Sequence, residues 1–467
     1  MTLPLKGLLP AVVAAKAELF ASQQQLVHYK GNIYQPKHFL TGEENPPSPE
    51  TTVWVPLTDE YLEWHANNTF HMLIRTDGEH RMYRRMLRQF SIRQFDEVPD
   101  ILVNINNDHV EALDHTGKLK PVTGKFIPNY MNVPYHTNNP LIEECYATIV
   151  EWCGSEDQAK SLLHHLATAL QPTWSAGRYV LLIGDGRNGK GTLLKMIKKL
   201  FGPANISGIS RLDMASRSSV IHMLNGKLLN IYMDGPKDFL KDSSTEKTLI
   251  VGEDIMIEMK FENVPLQVQT NALFIEGLND EPNTSDKSPA LQARLVRFRF
   301  DQHYAYDIPF GEKMVAPEML AALLHLLLEH WVNKHEVSEK LMVTAESLDL
   351  QMEAVREQSP VLQFMETLSN EDLQNILEQR MRTEYFERLL KKWMEEHGYT
   401  DLKDSYLRRL ITERFKINRK VMRFTENGEK FNSSRSYLEQ PLPDTLNVIN
   451  ELLSGERTPS ILDVTEE

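Results

Sequence analysis

The spacing of apolar positions divides this chain into segments of different period. Tyr179 to Ile183 (Y-V-L-L-I) is an unbroken apolar run and predicts a buried strand; Lys190 to Leu200 carries its apolar residues at helical intervals. Upstream, Leu26 to Tyr34 predicts a hairpin turning at Lys30 to Asn32, and Trp54 to Leu57 a short strand. Asp59 to about Phe95 predicts a helical stretch, Lys120 to Pro140 an extended, loop-rich one, and Pro140 to Leu170 a helical block. Downstream, Leu228 to Met233 and Ala272 to Ile275 read as strands, and Arg297 and Arg299 alternate with Phe298 and Phe300 as in a half-buried strand. Ala316 to Val337 is a strongly apolar helix, followed by a charged helical linker to about Ser359. Val361 to Leu368, Glu384 to His397 and Ser405 to Phe415 predict three short helices. Val421 to Phe424 and Ser434 to Leu438 then flank Asn427-Gly428, a strong hairpin signal.

Composition narrows this picture. At 467 residues the chain is long enough for several cores, and no apolar run reaches the roughly 18 residues of a membrane span. The opening residues resemble a secretion signal only superficially, because Lys6 is the sole basic residue and Pro10 interrupts the apolar part. Two cysteines, Cys145 and Cys153, give neither a disulfide framework nor a zinc pattern and fit a reducing, cytoplasmic setting, the host's cytoplasm if the chain is phage-encoded. His65, His71 and His80 lack metalloprotease spacing and read as ordinary histidines, as do His164 and His165. A formal net charge of −14 excludes a generic nucleic-acid coat, so any contact with phosphates must be local or built by a ring of subunits.

The candidate chemistry lies between the predicted strand and helix. Gly184, Asp185, Gly186, Arg187, Asn188, Gly189, Lys190, Gly191 and Thr192 have the spacing of a phosphate loop. Backbone N–H groups at a helix N-terminus seat phosphates, and Lys190 would reach the β- and γ-phosphates of ATP. Gly191 stands where a Mg²⁺-ligating hydroxyl is usual, and the hydroxyl follows at Thr192. A strand ending in Asp234 supplies a carboxylate for the metal's water shell, although Gly235 stands where a second acid is common. Asn279, at the next strand's tip, is placed as a sensor of the γ-phosphate or attacking water. Arg294, just before the last strand, is placed as an arginine finger toward a neighbouring subunit. Lys247 and Lys260 flank the Gly252-Glu253-Asp254 turn and are expected near a hairpin tip, able to track a single strand through its phosphates.

In this order the motifs resemble the superfamily 3 helicases, specifically the helicase half of phage and poxvirus primase-helicases. The likeness runs from P-N-Y-M-N-V-P-Y at Pro128 to Tyr135 through G-D-G-R-N-G-K-G-T and L-N-D-E-P to A-R-L-V-R-F-R-F, covering roughly residues 125 to 300. It implies an AAA+ P-loop core of α/β class that assembles as a ring, a homo-hexamer by that resemblance, and translocates on single-stranded or forked DNA using ATP and Mg²⁺. Gly191, and Asp234 where that family commonly has Glu, depart from the pattern. The N-terminal segment is short for a primase domain, so a primase or polymerase would be a separate chain.

The expected organisation is an N-terminal α+β domain (1–138), a helical collar (139–177), an AAA+ core with lid helix (178–345), a winged-helix-like DNA-binding domain (346–440) and a flexible acidic tail (441–467). Arg408, Arg409, Arg419 and Lys420 are its candidate DNA contacts; the five arginines Arg75, Arg81, Arg84, Arg85 and Arg88 read as a solvated helix face. Two alternatives stay open at this point: a non-unwinding loader or initiator switch that binds DNA, and a P-loop nucleotide kinase.

Overall fold

The computed structural model describes residues 3–4, 10–45, 48–74, 76–216, 218–233, 243–258, 265–281, 289–331, 343–357, 359–397, 404–426 and 429–454. The chain is a mixed α/β protein of two compact units, Met1–Leu348 and Asp349–Glu467.

In the first unit, the predicted hairpin forms between Val27–Tyr29 and Asn32–His38, and both turn residues, Lys30 and Gly31, adopt positive φ. That conformation matches the twist of the paired strands, and glycine adopts it without a Cβ clash. The stretch predicted as helical from Asp59 to Phe95 is two helices, Asp59–Phe70 and Asp77–Phe90. His71 in the left-handed region ends the first, and a reciprocal Thr76–Glu79 capping box starts the second. A second sheet orders Tyr130–Tyr135, Ile101–Ile105, His109–Leu113 and Leu119–Pro121 side by side.

The helical block is α1 (Ile142–Cys153) and α2 (Glu156–Thr168), separated by Gly154 in the left-handed region and Ser155, whose hydroxyl caps α2. After it come β1 (Tyr179–Ile183), α3 (Lys190–Phe201), β2 (Ile206–Ser207), α4 (Arg211–Ser216), β3 (Leu229–Tyr232), α5 (Ser244–Ile250), the hairpin β4 (Ile255–Ile257) and β5 (Leu266–Val268), β6 (Leu273–Leu278) and β7 (Leu295–Arg299). Two helices follow, α6 (Ile308–Met314) and α7 (Pro317–Glu329).

Five of these strands form one parallel sheet in the order β2-β3-β6-β1-β7. Val180, Leu182, Ile275 and Phe298 face the side covered by α1, α2, α3 and α7. Tyr179, Leu181, Phe274 and Leu278 face the side covered by α4, α5 and the β4–β5 hairpin. A parallel sheet covered on both faces buries whole strands, which explains the unbroken apolar run of β1. It also corrects the half-buried reading of β7: Arg297 is 1% exposed and is accommodated by Glu281 and Gln292.

The apolar helix α7 ends at Glu329, where the His330 N–H bonds to Leu326; residues 332–337 of the predicted helix lie outside the described residues. Met319 to Leu324, Leu326 and Leu327 are buried, and the helix packs against α1, α2 and α3.

The second unit packs helices Pro360–Glu366, Asn370–Leu377, Thr383–Glu396 and Asp404–Thr412 around Leu362, Phe386, Leu390 and Leu407. An antiparallel ribbon follows, Phe415–Glu426 with Glu429–Pro441, far longer than the predicted wing; Asn427 and Gly428 lie outside the described residues. The segment after Pro443, expected as a flexible end, is a helix, Pro443–Ser454, that buries Val448 and Ile449 in this core. Its apolar stripe explains the difference, because a helix with such a face gains by burying it. The acidic end, Glu466-Glu467, lies outside the described residues.

Candidate nucleotide site

The loop from Gly184 to Gly189 joins the carboxyl end of β1 to the N-terminus of α3. Gly186 and Gly189 have positive φ, and so does Arg187. A Cβ at Gly184 would fall 2.2 Å from the Asn188 side chain and 2.4 Å from the Phe300 carbonyl, and one at Gly189 would fall 2.4 Å from the Trp152 indole nitrogen. Gly184 is therefore fixed by close approach, Gly186 by backbone angle and Gly189 by both. Asn188 is buried and ties the loop to the end of β7: its amide donates to the Phe300 carbonyl at 2.9 Å, and its oxygen accepts from the Lys190 N–H at 3.4 Å. Asp185 and Arg187 are exposed, and Arg187 faces the cavity beside the loop.

Lys190 is 7% exposed. Its ammonium donates to the Gly184 carbonyl at 2.8 Å, to the Leu278 carbonyl and to Asn279 Oδ1 at 3.3 Å. Two residues 89 positions apart in the chain thus meet at the adjacent tips of β1 and β6. Asp234 follows β3, the strand on the other side of β6, and itself lies outside the described residues, as does Lys260.

Thr192 and Gly191 occupy the first turn of α3. Thr192 lines a cavity of about 800 Å³ beside the loop, shared with Trp152, Lys195, Tyr304, Asp307 and Phe310. Gly191 faces open space, with nothing within 4 Å of where a Cβ would stand. Tyr304 is held at the loop by its N–H, which donates to the Arg187 carbonyl at 2.8 Å. Sequence reasoning did not find the aromatic side chains of this cavity. They come from α1, from the irregular segment after β7 and from α6, and no periodicity connects those places.

The other candidates are not gathered here. Arg294 precedes β7 and its carbonyl accepts from the Tyr179 N–H, so it stands at the amino ends of the strands, opposite the loop. That is roughly 15 Å away at the rise of a parallel strand. Lys247 is half-buried on helix α5, not near a hairpin tip; the hairpin comprises β4 and β5, which begin after the Gly252 turn. In the second unit Arg408 and Arg409 are exposed on the Asp404–Thr412 helix, loosely paired with Glu387 and Glu413 at 3.8 and 3.7 Å. Arg419 and Lys420 pair through their backbones with Ser436 and Arg435 of the ribbon.

Among the described residues no His, Cys, Asp and Glu group could hold a metal ion, and no helix is long and apolar enough to cross a membrane. Cys145 and Cys153 are buried, which pushes both thiols up to about 12. His165 is buried against Phe298, and burial lowers it to about 4.

Residues 182–294, from the end of β1 to the residue before β7, match a family model described as a family of unknown function, DUF5906. No curated protein matches the chain. Among solved structures it is similar to the apo structure of the NrS-1 C-terminal region, at 11% identity over 91% of this chain and 99% of that one, with a TM-score of 0.49. An A-form apo structure of the same region gives 11% identity over 90% and 97%, with a TM-score of 0.48.

Proposed function

We propose that the chain is a nucleoside-triphosphate hydrolase with an AAA+ core of the superfamily 3 helicase type, acting on single-stranded or forked DNA in replication of a phage or mobile element. The observation that carries this reading is the convergence on Lys190. A glycine loop, a helix N-terminus, the ammonium and the Asn279 amide share one end of a parallel sheet. Ligands bind at the carboxyl ends of strands in such sheets, and N–H groups at a helix start favour phosphate. Interposing β6 between the loop strand and the Asp234 strand gives three adjacent strand tips, as an AAA+ site requires.

The residues fit a nucleotide. The loop leaves no room for a Cβ at Gly184 or Gly189, and the neighbouring cavity is large enough for a base and ribose beside phosphates on the loop. The Lys190 ammonium, now on carbonyl and amide oxygens, would transfer to the β- and γ-phosphates. Asn279 would then be released to orient water or the γ-phosphate, and Trp152 and Tyr304 would shield the nucleoside from solvent. Mg²⁺, held from the Asp234 and Thr192 side, would neutralise phosphate charge when bound. Arg294 is too far from its own loop to act there, which supports service to a neighbouring subunit's nucleotide in a ring, a homo-hexamer in this reading. DNA contacts from Lys247, Lys260, Arg408, Arg409, Arg419 and Lys420, and a winged-helix role for the second unit, belong to the same proposal.

The test is ATP binding and hydrolysis with and without single-stranded DNA, together with strand displacement on a forked duplex. Lys190→Ala should abolish binding or turnover. Phosphoryl transfer to a second nucleotide without DNA would sink the helicase reading and favour a kinase. Gly191 favours one second reading, a DNA-binding loader or initiator switch, for which binding without turnover is the expected result.

A further inference from the structure

On the sheet face away from the cavity, four side chains from four elements form a buried ionic cluster. Arg211 opens α4, Glu246 lies on α5, Glu276 on β6 and Tyr179 at the start of β1. The Arg211 guanidinium is bidentate to Glu246, with Nε at 2.7 Å and Nη2 at 3.1 Å, and Nε stands 4.0 Å from Glu276 Oε2. The Tyr179 hydroxyl donates to Glu276 Oε2 at 3.4 Å, and the guanidinium lies over the Tyr179 ring, 5.6 Å from its centroid. Tyr232 occupies the register position beside Glu276 on β3. A cluster like this is a poor stabiliser, because apolar side chains of the same volume avoid desolvating the charges. Its composition points to another use: one cation stands within reach of two carboxylates, so two pairings are available.

The two carboxylates belong to different machinery. Glu276 is three residues before Asn279 on the strand whose tip holds Lys190. Glu246 is on the helix that runs into Gly252, at positive φ, and then into the β4–β5 hairpin. We propose that Arg211 is a two-position latch coupling the Asn279 strand to the α5–hairpin segment, paired with Glu246 in the present arrangement and drawn toward Glu276 when the phosphate loop is occupied. The proposal rests on the nucleotide reading above. A phosphate that takes the Lys190 ammonium removes its bonds to the Leu278 carbonyl and to Asn279 Oδ1 together; the Leu278 carbonyl keeps the Gly184 N–H at 3.1 Å, so the tip of β6 loses its link to Lys190 and follows the phosphate loop. A shift of Glu276 toward Arg211 competes with Glu246, and loosening that pair releases α5 and the hairpin behind it. Two discrete arrangements of the same groups are what transmission between sites needs.

The test is hydrogen exchange across residues 251–268, with and without AMP-PNP, in the wild type, Glu276→Gln and Glu246→Gln, with AMP-PNP affinity measured by calorimetry. In the wild type the analogue should change hairpin exchange about fivefold. Glu276→Gln removes the competing charge while keeping shape; it should bind the analogue as the wild type does and lose that change. Glu246→Gln should show the altered exchange without nucleotide. If Glu276→Gln responds like the wild type, or if the wild type binds AMP-PNP with no change at the hairpin, the latch is wrong. A merely structural cluster would lower the melting temperature of both variants and leave the response intact, which also overturns it. Failure of the wild type to bind AMP-PNP is a separate outcome and overturns the nucleotide reading, together with the latch that rests on it.

Discussion

Removing the charge of Glu276 should stabilise this protein at neutral pH, against the usual expectation for a group in a buried ion cluster. Glu276 is 1% exposed in mid-sheet, and Arg211 is engaged in a bidentate pair with Glu246. Burial raises the Glu276 carboxyl; Arg211 at 4.0 Å opposes this, and Glu246 adds to the rise, leaving it at about 7. A carboxyl raised in the folded state favours folding most fully below its unfolded value near 4.5, and that contribution is lost as pH climbs through about 7. The folded chain holds the extra proton in this window, so stability falls with rising pH. At about 1.4 kcal/mol per unit the full loss is on the order of 3 kcal/mol. Glu276→Gln, which keeps the acceptor for Tyr179 but cannot ionise, should match the wild type near pH 4.5 and exceed it by up to that amount above pH 8. Comparing the urea dependence of amide exchange over Leu273–Leu278 for both proteins at each pH isolates this sheet from the second unit. A difference that stays flat between pH 5 and 8, or has the opposite sign, would refute the reasoning.

Gly191→Ser should fit without displacement, because nothing lies within 4 Å of the new Cβ, and should add a few tenths of a kcal/mol of helix stability. If the missing hydroxyl limits metal binding, kcat for ATP should rise several-fold, and an unchanged kcat removes that explanation. Arg294→Ala should retain ATP binding and lose at least tenfold in turnover. Mixing it with a Lys190→Ala chain should restore some activity if the arginine serves a neighbour, and none if it does not. Thr76→Ala deletes half of a capping box and should cost about 1 kcal/mol in urea unfolding of the first unit.

Patterns that are local were legible in the sequence. The bounds of β1 and the start of α3 followed from one apolar run and one glycine loop, and the Lys30–Gly31 turn from its own two residues. Errors arose where tertiary surroundings decide. Arg297 was read as the polar side of a half-buried strand, because its compensating Glu281 lies 16 residues back and Gln292, 5 back, precedes the strand, so neither belongs to the alternation that was read. Lys247 was placed near a hairpin tip from its proximity to Gly252, yet it lies on a helix that buries Glu246, Leu249 and Ile250 and ends before the hairpin begins. The Pro443–Ser454 segment looked like a tail because its apolar stripe had no visible partner.

The candidate site divides along the same line. Lys190 and Asn279 could be nominated separately, from a loop and from a strand tip, because each belongs to a short motif with its own chemistry. That the ammonium rests on Asn279 and on the Leu278 carbonyl required the sheet order, which places β6 directly beside β1. The Arg211 cluster could not be nominated at all, since an arginine, two glutamates and a tyrosine spread over nearly a hundred residues have no spacing that chemistry demands. Their cost is nevertheless the informative part. Residues that desolvate charge without stabilising the sheet need a role that apolar side chains cannot fill, and a choice between two partners for one guanidinium is such a role. If Glu276→Gln proves both more stable and unable to pass a nucleotide signal to the hairpin, stability and coupling will have been traded against each other at one carboxylate.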